Sequence, residues 1–167
     1  MPTLWIVEGQ EGVGKTTLAR EIEKRAPATY IRTADIKPGL IRHDWQDNYI
    51  VAYMLAQMKP QKDVVLDRCL ISGLAYMPLP AANNTTFINA WRDYLDVLAP
   101  AFRIQDIKLI HLVAPWPVRC KRGAGEHHVN DLVDEFAALA YREVKGVQFN
   151  TGQMKLEQML QRLQLRG

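Results

Sequence analysis

A short glycine-rich stretch near the N-terminus has the residue types and the spacing needed to bind phosphate. Residues 9–16 read Gly-Gln-Glu-Gly-Val-Gly-Lys-Thr, which satisfies the pattern G-x-x-x-x-G-K-[ST] at every required position. Glycines let the backbone curl so that successive N–H groups point into one concavity, and the start of the following helix adds partial positive charge. The sequence therefore predicts a nucleotide-phosphate site rather than a glycine-rich turn that binds nothing.

Each position of this loop has an expected role. The Lys15 ammonium can reach the β- and γ-phosphates, and the Thr16 hydroxyl can bind Mg²⁺. The predicted phosphate-binding residues are Gly9, Gln10, Glu11, Gly12, Val13, Gly14, Lys15, Thr16 and Thr17.

Two further groups of charged residues suit the same chemistry. Asp67 and Arg68 follow an apolar run, and ligands of open parallel sheets bind beyond the carboxyl ends of the strands. Arg119, Lys121 and Arg122 form a basic cluster after a later strand, and an arginine fork can hold two phosphate oxygens at once. The alternatives are a surface ion pair for Asp67 and Arg68, and an ordinary solvated face for the basic cluster.

Strand and helix patterns alternate along the chain. Apolar runs predict strands at residues 4–7, 28–32, 63–68, 107–113 and 147–150. Helical spacing and proline stops predict helices at about 15–25, 43–58, 71–77, 86–98, 130–145 and 155–165, with Asn84 or Thr85 as a cap. This alternation predicts an α/β fold in three layers, with a five-stranded parallel sheet, helices on both faces and a small lid.

Aromatic residues at helical spacing have two interpretations. Trp45, Tyr49 and Tyr53 are expected in the core, with base stacking as the alternative. Trp91 and Tyr94, with Leu95, are expected in the core or at a subunit interface.

Length and composition limit the class of protein. The 167 residues fit a single domain, 1–167, and the net charge of +3 is too small to indicate a nucleic-acid partner. No apolar stretch approaches the roughly 20 residues that span a bilayer, and a strand begins too early to leave room for a signal peptide. Two cysteines favour a reducing compartment, so we expect a cytoplasmic protein. Cys120, His127 and His128 do not have the spacing of a zinc site.

At this point two motifs resemble those of the thymidylate kinase family, within the nucleoside monophosphate kinases. Residues 7–17 read Val-Glu-Gly-Gln-Glu-Gly-Val-Gly-Lys-Thr-Thr, beside the family's F-E-G-x-D-G-x-G-K-T-T. Residues 67–77 read Asp-Arg-Cys-Leu-Ile-Ser-Gly-Leu-Ala-Tyr-Met, beside D-R-[YH]-x-x-S-x-x-A-Y-Q. The basic cluster matches the family's lid, here about residues 116–129.

The resemblance implies a role for each matching residue. Lys15, Thr16 and the loop amides would hold ATP and Mg²⁺, with Asp67 near the metal. Glu11 would accept a hydrogen bond from the 3′-hydroxyl of the acceptor sugar, and Arg68 would bind the acceptor phosphate. The further implied acceptor contacts are Arg32, Ser72 and Tyr76, and the implied catalytic cations of the lid are Arg119 and Arg122.

The base-reading positions depart from the family. Met77 replaces the glutamine that helps to read the base, and the base-side loop, usually T-R-E-P-G-G-T, matches only at Pro38-Gly39. Loss of a hydrogen-bonding amide removes a reason for strict thymine selection. Gly12 and Val13 carry no charge, so the lid must supply the catalytic cation.

These observations predict an ATP- and Mg²⁺-dependent kinase, expected as a homodimer, that converts a deoxynucleoside monophosphate to the diphosphate. The acceptor would be dTMP, dUMP or a modified pyrimidine nucleotide. One alternative is a kinase acting on a nucleoside or on a base within DNA. Another is a nucleotide-binding regulator without turnover.

Overall fold

A five-stranded parallel sheet forms the centre of the protein. The computed structural model describes residues 2–33, 45–76, 83–125 and 129–165. The strands are β1 (Leu4–Gly9), β2 (Thr29–Arg32), β3 (Val64–Asp67), β4 (Ile107–Val113) and β5 (Lys145–Asn150). They lie in the order β2-β3-β1-β4-β5, and every neighbouring pair is parallel. The predicted α/β class and five-stranded parallel sheet are confirmed.

The helices cover both faces of this sheet. They are α1 (Lys15–Arg25), α2 (Trp45–Met58), α3 (Leu70–Ala75), α4 (Asn84–Leu98), α5 (Trp116–Lys121), α6 (Val129–Ala140) and α7 (Leu156–Arg162), with a 3₁₀ turn at Ile104–Asp106. One apolar core includes side chains of α1 and α7, and the other includes side chains of α2, α3, α4 and α6. The three-layer architecture follows from these two cores.

The central strand supplies both cores because successive side chains of a strand point to opposite faces. Leu4 and Ile6 belong to one core, whereas Trp5 and Val7 belong to the other. All six residues of β1 are buried, which explains its nearly continuous apolar sequence. Glu8 is the charged residue of this strand, and it lies beside α3, on the same face as Leu4 and Ile6.

Several element boundaries differ from those predicted. The helix expected to continue to Lys145 ends at Ala140, because Lys145 already pairs with Lys108 of β4. The strand β5 correspondingly begins two residues before the predicted start. The residue that caps α4 is Asn83, whose Oδ1 accepts the Thr86 N–H at 2.8 Å, rather than Asn84 or Thr85.

The predicted aromatic core is only partly correct. Trp91, Tyr94 and Leu95 are buried in the core, as expected. Tyr49 is half-buried and its hydroxyl donates to the Ala90 carbonyl at 2.8 Å, but Tyr53 is 60% exposed and does not belong to the core. The Trp45 side chain lies outside the described residues, as do Pro38, Gly39, Met77, His127 and His128. Within the described ranges, the helices include none that is long and apolar enough to span a membrane.

Candidate active site

The loop between β1 and α1 has the conformation that its glycines permit. Gly12 and Gly14 have φ angles of 79° and 96°, in the left-handed region that favours glycine. A Cβ atom at Gly12 would lie 2.9 Å from the Ala124 side chain and 3.1 Å from the Arg119 carbonyl oxygen. Gly14 is the N-cap of α1 and has no side chain to cap it, so the first amides of α1 face the loop. This is the arrangement that binds phosphate at a helix N-terminus.

Lys15 lies inside this loop rather than in solvent. Its side chain is buried, and Nζ donates to the Gln10 carbonyl oxygen at 2.7 Å. Burial, followed by the nearby positive charge of Arg68, lowers the pKa of Lys15 to about 8. An anion bound in the loop would stabilise this ammonium, because the group is poorly solvated without one.

Asp67 meets the loop at the end of β3. Its Oδ2 accepts hydrogen bonds from Thr16 Oγ1 and from the Tyr30 hydroxyl, both at 2.7 Å. Burial and the bond to Asp67 raise the pKa of Tyr30 to about 12, and the Arg20 guanidinium covers the Tyr30 ring at 3.6 Å. Hydroxyl and carboxylate oxygens, together with substrate phosphates and water, are what Mg²⁺ prefers. Thr16 and Asp67 therefore have the chemistry of a magnesium site.

One cavity of about 200 Å³ contains most of the predicted site residues. Its lining residues are Glu11, Gly12, Gly14, Lys15, Thr16, Thr17, Arg32, Asp67 and Arg68. The loop between β1 and α1, called the phosphate loop below, forms one side of the cavity. The two arginines are Arg32, the last residue of β2, and Arg68, which directly follows β3. Asp67 is buried against Thr16 and Tyr30, whereas Arg68 turns toward Ser72, so Asp67 and Arg68 do not form the surface ion pair that was the alternative.

Ser72 is already engaged by protein groups. Its hydroxyl donates to Glu8 Oε2 at 2.7 Å and accepts from Arg68 Nη1 at 3.1 Å. Tyr76 lies beside the same arginine, with its ring centre 5.6 Å from the Arg68 Cζ atom. The structure thus groups Ser72 and Tyr76 around Arg68. The sequence motifs assign no role to Glu8, although the signal is present: a carboxylate in a buried strand requires hydrogen-bond donors.

The two arginines predicted in the lid do not line this cavity. Arg119 is buried, and its Nε donates to the Ala114 carbonyl at 3.0 Å. Arg122 donates to the Gly12 carbonyl at 3.1 Å and to both oxygens of Thr151, at 3.0 and 3.1 Å. Thr151 in turn donates to the Val13 carbonyl at 2.8 Å. In this arrangement Arg122 joins the loop to Thr151, whereas the Arg119 side chain bonds the residue that follows β4.

A second, partly buried network holds the beginning of the loop. Gln10 Nε2 donates to Asp134 Oδ2 at 2.6 Å, and the other Asp134 oxygen lies 2.7 Å from His111 Nε2. His111 pairs in register with Glu8, so β4 and α6 both help to position Gln10. Val13, which was predicted as a phosphate contact, is a core residue by its side chain. Asp134, His111 and Thr151 carry no local motif, and only the tertiary structure reveals them.

Comparisons with known proteins agree with this geometry at the level of the fold. No protein-family model and no curated protein matches the sequence. Among solved structures, the YorR protein of Bacillus subtilis, in complex with phosphorylated GDP, is 18% identical with a TM-score of 0.61, covering 96% of this chain and 93% of that one. This chain has the P-loop kinase fold.

Two kinases of known structure also align over most of their length. Deoxyadenosine kinase from M. mycoides with bound dATP is 14% identical, with a TM-score of 0.59 and coverage of 96% of this chain and 99% of that one. Thymidylate kinase from Candida albicans is 15% identical, with a TM-score of 0.57 and coverage of 98% and 89%. At these identities the likeness concerns the fold, and the acceptor must be argued from the site.

Proposed function

We propose that the protein is an ATP- and Mg²⁺-dependent phosphotransferase that converts a deoxynucleoside monophosphate to the diphosphate. The supporting observation is the cavity that joins the phosphate loop to Arg32 and Arg68. Lys15 and the loop amides suffice for one polyphosphate, so two further arginines favour an acceptor that is itself an anion. The proposed acceptors are dTMP, dUMP or a modified pyrimidine nucleotide.

The proposed mechanism depends on position and charge. Lys15 and the amides of residues 9–17 would hold the ATP phosphates, while Arg68 and Arg32 would orient the acceptor phosphate toward them. An oxygen of the acceptor phosphate, which is mostly ionised at neutral pH, attacks the γ-phosphorus, and the bond to the oxygen of ADP breaks. Such an acceptor needs no general base. Thr16 and Asp67 would hold Mg²⁺, which when bound neutralises charge on the phosphates.

We propose Arg119 and Arg122 as catalytic cations that act after a change of hydrogen-bond partners. Arg122 bonds Gly12 and Thr151, so it would have to exchange these partners to reach the transferring phosphoryl group. Such an exchange fits a lid, proposed at about residues 116–129, that closes over bound nucleotide.

The alternatives make different demands on the cavity. A nucleoside acceptor has a neutral hydroxyl that must lose a proton, so a carboxylate base is required. Glu11 and Asp67 are the carboxylates of the cavity, and Asp67 already accepts two hydroxyl protons. The likeness to deoxyadenosine kinase nevertheless keeps this alternative open. A regulator without turnover would bind ATP and release no ADP with any acceptor.

The deciding experiment is a coupled ADP-release assay with ATP and each natural nucleoside monophosphate and nucleoside. We expect turnover with one or more pyrimidine deoxynucleoside monophosphates and background rates with nucleosides. Turnover with nucleosides alone would replace the proposal by the first alternative. ATP binding without ADP release would replace it by the second.

Glu11 is proposed to select the acceptor sugar by accepting a hydrogen bond from the 3′-hydroxyl. An acceptor without that hydroxyl cannot make this hydrogen bond to the carboxylate, and a hydrogen bond to a charged group contributes roughly 1.5–3 kcal/mol. We expect kcat/KM for 2′,3′-dideoxy monophosphates to be about tenfold lower or more, since about 1.4 kcal/mol is a factor of ten. Glu11→Gln should narrow this difference by harming the natural acceptor more. Equal kcat/KM values for deoxy and dideoxy acceptors in the wild type would exclude Glu11 from the acceptor site.

The lowered pKa of Lys15 predicts that ATP binding weakens in alkaline solution. Above its pKa of about 8, the free protein loses the Lys15 proton and must recover it before the ammonium can bind phosphate. We expect the Kd for ATP to rise by up to about tenfold per pH unit above that value. Titration calorimetry in two buffers of different ionisation enthalpy should detect proton uptake on binding. Lys15→Arg should remove the uptake, because arginine stays charged. A pH-independent Kd would contradict this role of Lys15.

Three broader predictions are retained as proposals. The chain is proposed to be one kinase domain, 1–167, acting on small molecules without nucleic-acid or membrane partners. The cytoplasm is supported by two free thiols, at Cys69 and Cys120. A homodimer is supported by the apolar side chains that α2 exposes, namely Ile50, Tyr53, Met54 and Met58.

A further inference from the structure

We propose that Glu8, acting through the Ser72 hydroxyl, is a positioning residue for Arg68 and therefore controls binding of the acceptor. This inference rests on the proposed function, because it assumes that Arg68 binds an anionic acceptor. It assigns to Ser72 a role different from direct contact with substrate. The two residues lie on separate elements, β1 and α3, so the link exists only in the folded protein.

Glu8 is completely buried, and hydrogen-bond donors surround its carboxylate. Oε1 accepts the backbone N–H groups of Cys69 and Ser72, at 2.7 and 3.2 Å. Oε2 accepts the Gly9 N–H at 3.2 Å and the Ser72 hydroxyl at 2.7 Å. A carboxylate can be retained in a protein interior only when donors replace its water in this way. A purely structural explanation is that Glu8 fixes the start of α3 against β1.

That explanation covers the amides of Cys69, which is the N-cap of α3, and of Ser72, but it does not cover the Ser72 hydroxyl. The Ser72 hydroxyl has one proton, which it gives to Glu8, so its oxygen can only accept toward Arg68. The 3.1 Å bond from Arg68 Nη1 to that oxygen therefore has a fixed direction, set by Glu8. The chain of bonds joins a buried anion to a cation that lines the cavity.

The Arg68 guanidinium meets the Ser72 hydroxyl, which accepts from Nη1, and the Tyr76 ring, whose centre lies 5.6 Å from Cζ. Of these two contacts, the hydrogen bond sets the direction of the guanidinium, because a hydrogen bond depends on angle. The Arg68 backbone has a φ of 75°, in a region that residues other than glycine rarely adopt. Two contacts hold that backbone: the Arg68 N–H donates to the Val7 carbonyl at 3.0 Å, and the Thr33 hydroxyl donates to the Arg68 carbonyl at 2.8 Å. These contacts fix the main chain only. The hydroxyl of Ser72 fixes the Nη1 end of the guanidinium, and binding of two phosphate oxygens requires a fixed orientation of this planar group.

The test is Ser72→Ala, which removes the hydroxyl and keeps the three backbone N–H bonds to Glu8, from Gly9, Cys69 and Ser72. We expect a loss of about tenfold or more in kcat/KM for the monophosphate, with the Kd for ATP unchanged, because misplacing a positioning group by about 1 Å can cost up to a hundredfold. The matched control for general destabilisation is Asn83→Ala, which removes the cap of α4 and should leave both quantities unchanged. If Ser72→Ala weakens ATP and monophosphate equally, or only lowers thermal stability as Asn83→Ala does, the proposal is wrong.

A double-mutant cycle tests whether Ser72 acts through Arg68. In an Arg68→Ala background, Ser72→Ala should cause little further loss in kcat/KM, because no guanidinium remains to be positioned. An equal loss in both backgrounds would show that Ser72 acts on the substrate by itself and would overturn the proposal.

A measurement without substrate separates this proposal from the proposed function. In ¹⁵N-labelled protein, the bond to Ser72 should slow rotation of the Arg68 guanidinium and give separate Nη resonances, assigned by their absence in Arg68→Lys. These resonances should merge in Ser72→Ala and persist in Asn83→Ala. Persistence in Ser72→Ala overturns the link to Arg68 whatever the substrate is. If the Nη resonances merge in Ser72→Ala, the link to Arg68 holds. If the wild type then phosphorylates no monophosphate, the result contradicts the proposed function and not the link.

Discussion

Replacing Lys15 by alanine is expected to reduce turnover by at least about a hundredfold, the order of magnitude for a lost electrostatic contact to the transferring group. The ammonium is buried in the loop, donates to the Gln10 backbone carbonyl, and would be the nearest loop cation to the β- and γ-phosphates. Steady-state ADP release at saturating acceptor measures the effect. Folding should change little, because the side chain occupies the site rather than the core.

Lys24→Ala is the matched control for this substitution. Lys24 lies on the same helix, is exposed and pairs with Glu21 at 2.9 Å, so its loss removes one positive charge without touching the loop. Its turnover should stay close to that of the wild type. A Lys15→Ala protein with near-normal turnover would show that the loop does not bind the reacting phosphates.

Replacing Arg68 by alanine is expected to lower kcat/KM for the monophosphate by about a hundredfold, through a higher KM and a lower kcat, while the Kd for ATP stays near the wild-type value. Alanine keeps the Cβ atom, so the left-handed backbone at this position is equally unfavourable in both proteins. The measurements are initial rates over a range of acceptor concentrations and calorimetric titration with ATP.

The structural alternative for Arg68 predicts the reverse pattern. An arginine that only stabilised the end of β3 would, when removed, lower the melting temperature and leave both kinetic constants unchanged. Arg92→Ala is the control for the loss of one arginine, since Arg92 is exposed on α4 and pairs with Glu143 at 3.0 Å. We expect that variant to match the wild type in melting temperature, in KM and kcat for the monophosphate, and in the Kd for ATP.

Much of the fold could be predicted because its signals are local. The strand β4 and the helix α1 begin and end where the apolar run, the glycines and the proline predict. The end of α6 could not be predicted in this way. Its sequence continues to favour helix, but pairing of Lys145 with β4 recruits the following residues into the sheet. Non-local pairing overrides a weak local preference at such a boundary.

The parts of the candidate site that could be predicted are likewise those with a local signal or a simple topological rule. A pattern of eight residues determines the phosphate loop, because each amide, glycine and side chain that it needs is contiguous in the chain. The meeting of Asp67 with Thr16 follows from a simple rule, that the carboxyl ends of parallel strands face one crevice. These parts of the candidate site were predictable without coordinates.

The sequence by itself thus determined the fold class, the phosphate loop and the strand end that faces it. Only the tertiary structure decided which partners each charged side chain has. It bonded Arg119 to Ala114 and Arg122 to Gly12, engaged Ser72 between Glu8 and Arg68, and joined Gln10 through Asp134 to His111. Hydrogen-bond partners depend on side-chain directions at distances of about 3 Å. Glu8 and Ser72 are 64 positions apart and Gln10 and Asp134 are 124 apart, so these pairs reach such distances only when the sheet and helices pack.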